Sequence, residues 1–264
     1  MNFFEGLQLY EIIMLFAGIL IFLVLLAGLI FYLVRGKSLT VLLIAFVIPI
    51  VMIGFPAISS ISFSNGKFDL QKQTALVLHD PKDELARKNL EEAKLRIESR
   101  ETTNPETLTD LAKAQFILDE PDKAKVNLDK ALQANPTLPA ALALKDKIAL
   151  IDDVEKLTNE AVKKPADPTI KNALNQKVAE IEQLPIASSD TLVKVARAQE
   201  VVGQTADAKK SVDIAVAIKP TSAPAIELQR QIDNKQLQTV SPTPAIELKR
   251  RIDSKKLQTV SPKK

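Results

Sequence analysis

The chain has 264 residues, a formal net charge of +3, 25% charged residues, one histidine and no cysteine. Without cysteine it forms no disulfide, thiolate metal site or cysteine nucleophile, and a charge so near balance makes no global demand for nucleic acid. Few glycines and no tryptophan fit a helix-rich body, and the length accommodates a soluble core as well as a membrane segment.

The first predicted element is Ile12–Val34, which carries no charge over 23 positions. As a helix it reaches roughly 34 Å, enough to cross the hydrocarbon core of a bilayer. Arg35-Gly36-Lys37-Ser38 follows, and then a second uncharged run, Leu39–Ile58. Four residues cannot return a chain across a bilayer, so the two runs predict a tight transmembrane hairpin with both ends on one side. Pro49 and Pro56 are expected to kink the second span or loosen its last turn. A cleaved signal peptide fits the first run poorly, because Glu5 and Glu11 stand where a basic start belongs and the run is too long. Arg35 and Lys37 in the loop, against those two acids in the N-terminal flank, put the loop on the cytoplasmic side and the large body across the membrane.

Ile61–Leu70 (ISFSNGKFDL) alternates apolar residues around Asn65-Gly66. That pattern predicts a two-residue hairpin turn, with a plain linker as the alternative. A helical period returns near residue 68. His79-Asp80-Pro81 marks a boundary, with Asp80 as a cap and Pro81 in the first turn of a helix carrying Leu85, Leu90, Ala93 and Ile97 to about Arg100.

Residues 105–138 read PETLTDLAKAQFILDEPDKAKVNLDKALQANPTL. Leu108, Leu111, Ala112 and Phe116 follow a helical period, Asp119-Glu120-Pro121 interrupts it, and Ala124, Leu128, Ala131 and Leu132 resume it out of phase before Pro136. Two short antiparallel helices are expected, with Ala112, Ala124 and Ala131 small where they cross. The run resembles a tetratricopeptide repeat (TPR), whose 34-residue unit it fills without a gap, with Gln115 where the family has Tyr. A second copy spans 189–222 through Leu192, Val195, Ala196, Ala208, Val212, Ala215 and Pro220, with Gln199 at the same departure. Between the copies, Leu142, Ile148, Ile151, Val154, Leu157 and Ala161 predict one long helix, and Ala166-Asp167-Pro168 echoes the earlier boundary. The step from Asp80-Pro81 to Asp167-Pro168 is slightly longer than the step from Leu108 to Leu192. That mismatch implies a short deletion in the second copy, between its boundary and its hairpin.

The tail repeats at a period of 20: Pro224–Pro242 is PAIELQRQIDNKQLQTVSP and Pro244–Pro262 is PAIELKRRIDSKKLQTVSP. The first copy continues the second unit's last helix, and the extra copy is expected to be a short exposed helix or disordered. The expected fold is therefore all-α. It comprises a two-span anchor (1–58), a juxtamembrane connector (59–79), two TPR-like helical units (80–164 and 165–240) stacked as a short solenoid, and a basic, flexible tail (241–264).

No constellation of catalytic, metal-binding or cofactor-binding residues emerges. His79 is alone and reads as a loop residue before a helix, while Glu91-Glu92 and Asp152-Asp153 read as solvated faces. No Gly-x-Ser-x-Gly elbow or phosphate-cradling glycine loop is present, so no enzyme and no cofactor is expected. The basic tail lacks interleaved aromatics, which argues against sequence-specific nucleic acid. The TPR resemblance implies a concave peptide-binding surface, here Thr109, Lys113 and Phe116 in one copy and Val193, Arg197 and Glu200 in the other. Lys113 and Arg197 are equivalent and suit an acidic or carboxylate-bearing ligand. In architecture the chain is similar to cytochrome c maturation proteins that hold a TPR domain in the periplasm behind two spans, with a four-residue loop where those have a long one. The reading is a scaffold or adaptor at the bacterial inner membrane that binds a protein or peptide partner, with an extracytoplasmic body and Ile12–Val34 and Leu39–Ile58 in the bilayer. A cytoplasm-facing adaptor, a self-associating homo-oligomer and a membrane enzyme are the alternatives. Uncharged spans argue against the last.

Overall fold

The computed structural model describes residues 7–35 and 40–239. Among them every regular element is an α-helix and there is no strand. In chain order these are α1 (Leu9–Val34), α2 (Thr40–Ala45), α3 (Val47–His79), α4 (Glu84–Glu98), α5 (Pro105–Ile117) and α6 (Pro121–Ala134). The second half follows as α7 (Pro139–Lys163), α8 (Pro168–Ile181), α9 (Ser189–Val202), α10 (Thr205–Ile218) and α11 (Ala223–Thr239). The basic tail and the extra repeat within it lie outside the described residues.

Two helical stretches, Leu9–Val34 and Leu43–His79, are long and apolar enough to cross a membrane. Large apolar side chains point outward along both, among them Ile13, Leu20, Val24, Ile50 and Val51. A surface of that kind is costly in water and at home in hydrocarbon. The stretches pack antiparallel, with the Phe22 and Phe46 rings edge to face at 5.5 Å. The second span, expected as one kinked helix over Leu39–Ile58, is instead interrupted at Phe46. Pro49 has no N–H for the Ala45 carbonyl, and its ring crowds that oxygen, so α2 stops at Ala45 and α3 starts afresh at Val47.

Gly18 sets how closely the spans approach. A Cβ built there would stand 2.9 Å from Met52 Cβ and 3.0 Å from an Ile53 side-chain carbon, whereas one at Gly54 would meet nothing within 4 Å. Gly18→Ala should therefore push α1 from α3 and lower the melting temperature in nanodiscs. Gly54→Ala, adding a better helix former without a clash, should leave it unchanged or raise it.

The expected β-hairpin at Ile61–Leu70 does not form, and the connector placed at 59–79 is the continuation of α3. The apolar residues there fit two periods. Phe63 and Leu70 are seven apart and buried, on one stripe with Pro56, Ser59, Gly66, Thr74 and Val77, whereas Ile61 and Phe68 are also seven apart and stay exposed. A stripe at three- and four-residue spacing is what a helix buries, and packing along it outweighs the local Asn-Gly turn signal. Gly66 serves close approach rather than a left-handed turn: an added Cβ would lie 3.2 Å from Ile97 Cδ1 on α4. The 33 residues of α3 thus run from the apolar stretch into the body without a break.

The body repeats at one constant offset, the step from Leu90 to Leu174, in every element. The cap of α4 is Asp83, which accepts from the Ala86 N–H at 2.9 Å, and the cap of α8 is Asp167, which accepts from the Thr169 N–H at the same distance. Pro81 and Pro165 keep the same offset, so the second copy has lost nothing between its boundary and its hairpin. Asp80, expected to cap α4, instead ends α3, and α4 stops at Glu98 rather than Arg100. Buried pairs follow the register: Leu70 with Val154, Thr74 with Thr158, Leu90 with Leu174, Ile97 with Ile181 and Ala124 with Ala208. The repeating unit is therefore a long helix, a short helix and a two-helix hairpin: α3–α6, then α7–α10. The long helix α7 serves twice. Its first half, through Ala141, Leu144 and Ile148, closes the first hairpin, as Ala225, Leu228 and Ile232 of α11 close the second. Its second half opens the next unit.

Candidate functional site

The six residues expected on a concave surface do not share one. Thr109 is buried and its Oγ1 donates to the Pro105 carbonyl at 2.7 Å. Phe116 lies in the core with Ala112, Ala124 and Leu128, and Val193 packs with Leu192, Ala225 and Leu228. Glu200 pairs with Lys235 of α11 at 2.5 Å. Only Lys113 and Arg197 stand exposed. The reason lies in helices that the isolated hairpins do not reveal. The long helix of each unit packs against the hairpin's first helix, joined by Gln71 Nε2 donating to Asp110 Oδ2 at 2.6 Å and by the Lys194–Glu155 pair at 2.6 Å.

Lys113 stays exposed there, with Asp110 one turn before it and Lys147 of α7 nearby. Lys147 of α7 is half-buried, donates to the Pro185 carbonyl, and has its pKa pushed down to about 8, first by burial and then by the nearby charge of Lys113. Between pH 8 and its ordinary value the unfolded chain holds more protons on this amine than the folded one. Stability therefore rises across that window as this group titrates, and the rise is absent in Lys147→Met. Nuclear magnetic resonance of the 13C-methylated lysine should find its midpoint near 8, and Lys113→Gln should move it upward.

The two glutamines at equivalent positions of the hairpins have a structural account. Gln115 and Gln199 are 1% and 3% exposed, and each ties the preceding helix to the second helix of its hairpin. Gln115 Nε2 donates to Glu98 Oε1 at 2.7 Å and its Oε1 accepts from Asn127 Nδ2 at 2.9 Å. Gln199 Nε2 donates to Glu182 Oε1 at 2.8 Å and its Oε1 accepts from Ser211 Oγ at 2.8 Å. An amide donates and accepts at once, which a buried two-way link requires. Beside the first of these relays lies a cleft of about 670 Å³, walled by Glu98, Leu108, Lys123, Val126 and Lys130 among others.

A second set of contacts joins the two units. Asp119, in the turn between α5 and α6, holds a left-handed backbone (φ 61°) and accepts from Ser188 Oγ at 2.6 Å and from the Asp190 N–H at 3.2 Å. It thereby caps the start of α9. Arg87 of α4 donates to the Ala187 carbonyl at 2.8 Å and to the Ile117 carbonyl at 3.2 Å. The equivalent turn in the second unit carries Gly203 at φ 92°, the residue that adopts this conformation without strain. Asp119 accepts the strain and uses its carboxylate on the neighbouring unit.

A third set ties the body to the apolar N-terminal helices. Glu11, in the first turn of α1, accepts from Ser59 Oγ at 2.7 Å and pairs with Arg100, just beyond α4, at 3.0 Å. Arg100 also donates to Ser59 Oγ at 3.2 Å. Neither Arg100 nor Ser59 stood out in the sequence, because their partner lies far away along the chain. No family model, no curated protein and no solved structure matches this chain.

Proposed function

We propose that the protein is a membrane-anchored, TPR-like scaffold that binds an acidic segment of a partner protein and helps assemble complexes at the bacterial inner membrane. The observation that carries this reading is the unbroken α3, which makes the first helix of the repeating body an extension of the second crossing. A body held rigidly to a membrane suits presentation of a surface at a fixed height. The Lys113–Lys147 pair supports an acidic partner, because an incoming carboxylate offsets the Lys113 charge that adds to burial in lowering the Lys147 pKa. The basic loop after α1 supports a body on the extracytoplasmic side.

The test is site-specific photo-crosslinking in native membranes. A probe at Lys113 should capture one protein, and the same probe with Lys147→Glu should capture little. Equal capture from a probe at Lys210, on the outer hairpin helix α10, would remove the specific surface. A periplasm-active reporter fused after Lys264 should be active, and an inactive one turns the body to the cytoplasm.

A further inference from the structure

The groove between α9 and α10 holds α11 through a short set of residues. Ala225, Leu228 and Ile232 enter the apolar cluster with Leu192, Val193, Ala208 and Val212. Around it Gln229 Nε2 donates to Asp213 Oδ1 at 2.7 Å, Asp233 pairs with Lys209, and Lys235 pairs with Glu200. Every one of these α11 positions recurs one tail repeat further on, as Ala245, Leu248, Ile252, Lys249, Asp253 and Lys255. Five of the six are identical. The sixth is Lys249 at the position of Gln229, where a docked repeat would set an ammonium against Asp213.

We propose that the α9–α10 groove is a receptor for this tail repeat, and that residues 244–259 are its second occupant, exchanging with α11 within the same chain. This inference does not depend on the scaffold reading. Four residues link α10 to α11, and docking of the second copy lengthens that link to 24. The longer loop disfavours the second copy by about 15-fold, since loop closure scales with about the three-halves power of length. A Lys249–Asp213 pair in the docked repeat would offset part of that. The groove is therefore filled mainly by α11, and release of α11 leaves it covered, with the first copy free to reach another molecule.

The experiment uses the full-length protein in nanodiscs loaded at one chain per disc, read by amide hydrogen exchange of α9 and α10. In Leu228→Asp/Ile232→Asp, protection should fall by no more than about 15-fold, because the second copy takes the groove. In the quadruple variant that adds Leu248→Asp and Ile252→Asp, it should fall by more than about a hundredfold. A double variant that loses as much protection as the quadruple overturns the proposal. So does a quadruple variant that keeps wild-type protection, since the groove then needs no occupant.

Discussion

Arg100→Met is expected to loosen the body from the apolar N-terminal helices. The Glu11 carboxylate is wholly buried, and its partners are Arg100, the Ser59 hydroxyl at 2.7 Å and the Gln8 N–H at 2.9 Å. Taking away the cation leaves a buried charge without its counter-ion, and breaking a buried pair from one side costs about 3–5 kcal/mol. The figure belongs at the lower end, since the Arg100 side chain is 25% exposed. Glu11→Leu/Arg100→Met, which removes both charges, should recover most of the loss. The cysteine-free chain permits a direct measurement. Spin labels on cysteines introduced at Leu9 and Glu101, both exposed, should report one narrow distance in the wild type, a broad distribution in Arg100→Met and a narrow one again in the double variant. An unchanged distribution and melting temperature in Arg100→Met would mean that α3 alone holds the body in place.

That clasp and the unbroken α3 act on one joint. A single 33-residue helix carries the body out from the apolar N-terminal stretch, and on its own resists bending only through its backbone hydrogen bonds. Arg100, reaching back to the start of α1, adds a second attachment away from that helix axis. Two attachments at different distances from the axis resist bending of the first unit against the apolar N-terminal helices.

The sequence discloses periodicity better than it discloses partners. Helical spacing at Leu108, Leu111 and Ala112, and again at Leu192, Val195 and Ala196, reports a buried face because burial of that face is local to the helix. The Asn65-Gly66 turn signal fails because it is also local, while the contact that decides the matter is Gly66 against Ile97, on a different helix. The capping register is misread for a related reason. Asp80-Pro81 and Asp167-Pro168 look alike as dipeptides, yet the cap that matters in the first unit is Asp83, nearly a full helical turn further on. Thr109, Phe116 and Val193 were legible as helix residues on a definite face. That the face is covered depends on neighbouring helices, which the hairpins alone do not specify. The relays through Gln115 and Gln199 left a trace, two copies sharing one departure, but their donors and acceptors become visible only when α4 and α8 are in place.

Glu120→Gln is expected to destabilise the first unit severely, and Lys94→Val/Glu120→Gln to restore it. Lys94 is 2% exposed on α4, and its ammonium pairs with Glu120 at 2.6 Å. Burial would raise the Glu120 carboxyl, but Lys94 and Lys123 outweigh it and hold the carboxyl below its ordinary value. Removing that charge alone leaves an ammonium buried without its counter-ion, at a cost of about 3–5 kcal/mol. The chain carries its own control. At the same register the second unit has Val178, fully buried, and Gln204, so the same packing is achieved without either charge. A buried pair exchanged for apolar packing is commonly neutral or stabilising. The double variant should therefore melt at or above the wild type, and the single variant well below it. The pH dependence separates them further. A carboxyl whose folded pKa is depressed contributes stability in full above its ordinary value of 4.5, and that contribution is lost as pH falls through the folded pKa. The wild type should lose stability on acidification below pH 4.5 more steeply than the double variant. Equal acid sensitivity in the two, or a double variant no more stable than Glu120→Gln, would show that Lys94 is held by something other than its pair.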